Sequence, residues 1–132
     1  MDPLAELEAK LQRRCDLTWR RSGANIRIEA PSETGFAIEL HSDGAEWVVA
    51  LGETGYHQHF DAPQEALNFV AWALSPDCRV RETHQAGRIT KCTLEAREDG
   101  AWRAVGTVGF LPAMPWRTKE DVVRRNGVVE SE

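Results

Sequence analysis

Cysteine is scarce and badly placed for cross-linking: Cys15, Cys78 and Cys92 are odd in number, irregularly spaced and never form a Cys-x-x-Cys pair. This argues against both a disulfide framework and a structural zinc site, and reduced, mostly buried thiols are expected. Long apolar runs are missing too. The longest falls far short of the roughly 20 residues needed to cross a bilayer, so no membrane span is expected. The opening Met1-Asp2-Pro3-Leu4-Ala5-Glu6 lacks a basic segment followed by an apolar one, which argues against a secretory leader and for a cytoplasmic location. Positive charge is short: the net charge is −5 and lysine occurs only at positions 10, 91 and 119, a poor balance for neutralising nucleic-acid phosphates. The chain also has no Gly-rich phosphate loop, no Gly-x-Ser-x-Gly and no His-Glu-x-x-His, and no cofactor is expected.

What is present suits a folded protein of modest size. With 132 residues, 42% hydrophobic and 28% charged, the chain can bury a core without staples, and a single domain over 1–127 with a frayed tail at 128–132 is expected. Abundant alanine and an arginine-dominated basic set point to a GC-rich bacterial genome. The dominant stretch runs from Asp61 to Ser75. Leu67, Val70, Ala71 and Leu74 recur at i, i+3, i+4 and i+7, and Ala66, Phe69 and Ala73 widen the stripe beyond that of a surface helix. Asp61 with Gln64 reads as a capping box, Pro63 fits the first turn, and Ser75-Pro76 ends the helix.

Around this helix the chain reads as hairpins. Asp2-Pro3 starts a short helix with Leu4, Leu7 and Leu11 on one face, followed by strands at 17–21 and 26–30. Asp43-Gly44, taken as a two-residue turn, pairs Leu40 with Trp47, Ile38 with Val49 and Phe36 with Leu51. A strand at 56–60 feeds the helix. Beyond it, a three-residue loop at Gln85-Ala86-Gly87 sets Val80 opposite Cys92, and another at Glu98-Asp99-Gly100 sets Trp102 opposite Ala96. Thr118, with Glu120 and Asp121 early and Arg124, Arg125 and Asn126-Gly127 late, predicts a short C-terminal helix. The two halves echo each other, each with a helix, a cysteine, a strand, a glycine turn and an Asp-Gly hairpin followed by tryptophan. The expected fold class is α+β: one mainly antiparallel sheet packed on helix 61–75, the N-terminal helix alongside. This element order resembles, in topology, small acidic bacterial adaptors such as type III secretion chaperones.

Two functional readings follow. His57, His59 and Asp61 alternate and would project from one strand face, as a metal site with open coordination positions requires; a metal-dependent enzyme or metal-binding protein is the alternative function. His41 with Glu39 and His84 with Glu82 are further His–carboxylate pairs, and Arg79, Arg81, Arg97 and Arg103 mark a basic stripe that ion pairing would neutralise. The preferred reading is a non-enzymatic module that binds a protein partner, or itself as a homodimer, with neither nucleic acid nor membrane as partner. Its anchors would be Phe110, Leu111, Met114 and Trp116, in a segment stiffened by Pro112 and Pro115, with Trp72 adjoining.

Overall fold

The structure is a computed structural model that describes residues 2–52, 56–109 and 118–128. Among the described residues it contains two helices and nine strands arranged as two antiparallel sheets. Helix α1 (Pro3–Gln12) starts where the sequence predicts: the Asp2 carboxylate accepts from the Leu4 N–H, and Leu4, Leu7 and Leu11 are buried. Strands β1 (Trp19–Ser22), β2 (Asn25–Ile28), β3 (Ile38–Ser42), β4 (Trp47–Leu51) and β5 (Tyr56–Phe60) form a meander in chain order. Helix α2 (Pro63–Leu74) follows. Strands β6 (Cys78–Gln85), β7 (Arg88–Glu98), β8 (Ala101–Gly109) and β9 (Glu120–Arg124) make the second sheet, ordered β8-β7-β6-β9.

Two sheets in place of one is the main correction to the expected architecture. Period-two patterning tells which side of a strand is apolar, but not which sheet the strand joins. The residues 120–124 are a second correction, since they form strand β9 rather than a helix. Val122 and Val123 favour extended backbone, and the charges read as helix-dipole partners pair across strands instead. Asp121 meets Arg81 at 3.4 Å and Thr83 at 3.1 Å, while Arg124 meets Glu82 at 3.0 Å.

The hairpin registers differ by small, explicable amounts. Leu40 pairs with Val49 and Ile38 with Leu51, two residues from the expected register, because the β3–β4 loop has four residues. Asp43 makes it so: its carboxylate accepts from the Ala45 and Glu46 N–H groups at 3.0 and 2.9 Å, which also hold its pKa below the ordinary carboxylate value. A shift of two preserves the faces, so the apolar side still meets the core. Between β6 and β7 the loop is only Ala86-Gly87, both at positive φ (53° and 76°), as a type I′ turn demands. A bulge at Thr83/His84 then pairs Val80 with Leu94 and Cys78 with Ala96. Asp99-Gly100 likewise turns in two residues and sets Trp102 opposite Arg97.

Ile26, Ile28, Ile38, Leu40, Val49 and Leu51 from the first sheet, Ala66, Val70 and Ala73 from α2, and Cys78, Val80, Cys92 and Leu94 from the second join one hydrophobic cluster. Helix α2 touches β3, β4, β5 and β6 as well as α1. Two features tie the halves further. The ring of Tyr56 on β5 lies over Gly106 of β8, where a Cβ would stand 3.0 Å from the ring carbons Cε2 and Cζ. After β9 the chain is stitched down: Asn126 accepts from the Phe36 N–H at 2.8 Å and donates to the Ala73 carbonyl at 3.3 Å. Arg125 N–H bonds the Thr34 carbonyl, and Val128 N–H bonds the Leu74 carbonyl at 2.7 Å. Val128, expected in a loose tail, packs on the core, whereas 129–132 lie outside the described residues.

The Tyr56–Gly106 fit gives a direct test. Gly106→Ala should cost about 1–3 kcal/mol by overpacking, read by urea denaturation. In a Tyr56→Ala background the same change should cost at least about 1 kcal/mol less, a coupling expected only for residues in direct contact.

Candidate binding groove between the two helices

The stripe on α2 is wider than the sheets alone can cover, and the consequence is a groove. Leu7 and Leu11 from α1, Leu17 from the following connection and Leu67, Val70, Ala71 and Leu74 from α2 form its apolar walls, with Pro76 and Val128 at one end. The opening encloses about 740 Å³, within the roughly 300–1,000 Å³ typical of ligand sites. Lys10, Arg13 and Arg14 also line it, and among the described residues no acidic one does. Their placement follows from α1, whose last turn and C-cap carry the bases that favour a helix C-terminus.

These cations are held differently. Arg14 grips Asp16 through two bonds of 3.0 and 2.8 Å, which holds the Asp16 carboxyl below its ordinary pKa. Lys10 makes an exposed i,i+4 pair with Glu6 at 3.6 Å, and the Arg13 guanidinium donates to the Ala9 carbonyl. Both stand at the solvent edge, where such ties are easily exchanged for an incoming anion. Ser75 brings a hydroxyl, but it donates to the Trp72 carbonyl at 2.6 Å and accepts from the Asp77 N–H. The groove thus presents aliphatic walls and a basic rim, chemistry suited to holding an amphipathic ligand rather than to making or breaking bonds.

The residues singled out from sequence fall elsewhere. His57 and His59 are exposed on β5 with ring centroids 5.2 Å apart, and His59 Nδ1 is paired with the Glu46 carboxylate. Asp61 does not cap α2: the N-cap is Ala62 without a side-chain bond, and Gln64 reaches forward to Asn68 instead of back. Among the described residues, no group of three or more His, Cys, Asp or Glu stands close enough to hold a metal ion. Glu82 and His84 do pair, at 3.1 Å, but Glu82 is a buried carboxylate shared with Arg124, a tie between β6 and β9. Glu39 turns to Asn25 and Arg27 rather than His41.

The basic stripe is neutralised in full. Arg79 pairs with Glu95, Arg81 with Glu95 and Asp121, Arg97 with Asp77 and Arg103 with Glu98. Arg79, Arg125 and Arg97 also gather on the Trp102 ring, 4.2, 5.5 and 5.7 Å from its centroid, so this tryptophan anchors the C-terminal stretch by cation–π attraction. Trp72 ends an aromatic row with Phe60 and Phe69 at centroid spacings of 5.3 and 5.5 Å, partly buried against the core. Phe110, Leu111, Met114 and Trp116 lie outside the described residues. The signal for the groove was present in the sequence as excess apolar width on helix 61–75 together with a leucine face on helix 3–12, but which two faces meet is a tertiary fact.

Cys78 and Cys92 are buried and Cys15 is exposed. Burial pushes the Cys78 thiol up from 9.0 to about 12. The folded state therefore keeps this thiol protonated where the unfolded chain would ionise: the benefit is complete below pH 9 and lost as pH rises toward 12. A colorimetric thiol titration near neutral pH should count one fast cysteine, removed by Cys15→Ser, with the others reacting only on unfolding. Cys78→Ala should flatten the loss of stability above pH 9. Compared with protein-family models, curated proteins and solved structures, the chain matches none.

Proposed function

We propose that the protein is a non-enzymatic binding module that holds an acidic amphipathic segment of a protein partner in the groove between α1 and α2. The observation that carries this reading is the lining itself: aliphatic walls, three cations and, among the described residues, no acid, on a chain whose net charge is −5. Helix-in-groove recognition uses such a surface, with apolar anchors at i, i+3, i+4 and i+7 entering the walls and carboxylates meeting the rim. Two or three leucine-sized anchors would contribute about 1.5–3 kcal/mol each. After the costs of association, that supports a micromolar complex, with the rim charges acting on approach rate and orientation more than on affinity.

Ala71 offers a clean perturbation, because it lines the groove yet is exposed on α2. A helical peptide with Leu at i, i+3, i+4 and i+7 and Glu elsewhere should shift the amide resonances of Lys10, Ala71 and Leu74. Ala71→Trp should abolish those shifts with the melting temperature kept, and Lys10→Glu with Arg13→Glu should weaken binding about tenfold at low salt and less at high salt. Unchanged peptide binding by Ala71→Trp would overturn the assignment. Uptake of a long-chain carboxylate with the peptide excluded would reassign the groove to a small amphiphile.

A further inference from the structure

Sheet edges attract other strands, and natural proteins blunt them with shortness, charge or proline. Among the described residues, the two sheets end on β1, β5, β8 and β9. Three of these are guarded. β1 has four residues, including Arg20 and Arg21; β9 has five, including Glu120, Asp121 and Arg124; β5 has five, with His57, Gln58 and His59 exposed. β8 is the exception: nine residues, no proline and a single charge, Arg103, already tied to Glu98 of β7 at 2.6 Å. Its pairing with β7 skips Val105, since Glu95 faces Ala104 and Leu94 faces Gly106. Val105 is 44% exposed, high for a strand valine.

We propose that β8 is a self-association edge, where two copies of this chain pair antiparallel about a two-fold axis at Val105 and join their four-stranded sheets into one. This places the irregularity of the strand on the axis, so the flanks 101–104 and 106–109 each meet the partner's opposite flank. Val105 packs on its own counterpart, and Arg103 faces Thr107. The two Arg103 residues then lie about four residues apart along the strand, roughly 13 Å, beyond the range at which exposed like charges repel strongly. Small side chains at Ala101, Ala104, Gly106 and Gly109 offer no pockets for a foreign peptide's side chains, which strand addition uses for specificity. They do allow close, symmetric approach of an identical strand. A chain of net charge −5 repels its own copies, and β8 is an edge that brings no acid to the contact.

Sedimentation equilibrium up to about 1 mM should show reversible doubling of the 14.8 kDa mass. Val105→Lys and Val105→Pro should each return the protein to monomer with its thermal transition in place. In a Cys15→Ser background, Val105→Cys should cross-link to covalent dimer under mild oxidant, because only a residue on the axis meets itself. A monomer throughout that range overturns the proposal. So does a dimer that survives Val105→Lys and fails to cross-link through Val105→Cys, since its interface then lies elsewhere.

Discussion

The close seating of α2 is the constraint on which the rest depends. Ala66, Val70 and Ala73 are essentially without solvent exposure, and two of the three are alanines, so the helix backbone approaches its neighbours more nearly than a leucine face would allow. From that position one helix reaches β3, β4 and β5 of the first sheet and β6 of the second. Each sheet alone would expose an apolar face; both are covered by burial on the same cluster. Enlarging any of these side chains would separate the layers, because packed interiors take up added volume only by moving.

Seating α2 this way fixes the chain ends. Its last turn leaves carbonyl groups without helical partners, and the stretch after β9 supplies them with the Asn126 side chain on Ala73 and the Val128 N–H on Leu74. Asn126 simultaneously accepts from Phe36, so the end of the described chain is bonded to the connection leading into β3. Gly35 beside it has no room for a Cβ, which would stand 2.6 Å from the Asn126 oxygen. On the far side of the second sheet, Trp102 and its arginines hold the same stretch. α1 also packs against α2, and residues of both helices line the groove. Fold and candidate site thus have one origin: a helix with more apolar surface than its own sheets can cover.

Much of this was legible in the sequence, and the failures have physical causes. The helices at Pro3 and Pro63, the hairpins at Asp43-Gly44 and Asp99-Gly100 and the buried cysteines all follow from local rules that the structure respects. The β3–β4 register was missed by two because an aspartate that bonds its own following amides lengthens a loop that Asp-Gly alone would close in two residues. Asp61 carries the local signal of a cap, yet α2 begins from Ala62 with no side-chain cap. Residues 118–127 carry local helix signals, yet 120–124 form a strand because β6 offers Arg81 and Glu82 as cross-strand partners, an option visible only when both strands are in place. The groove and the β8 edge, unpaired among the described residues, depend on which elements are neighbours, information that periodicity does not hold.

Native-state hydrogen exchange under increasing urea tests most directly the claim that one buried helix joins both sheets into a single cooperative core. Amides of Leu40 and Val49 in the first sheet, Val70 in α2, and Val80 and Leu94 in the second should converge on one opening free energy with one denaturant dependence. Opening of β6 and β7 at a free energy lower by more than about 2 kcal/mol, with β3 and β4 still protected, would contradict it.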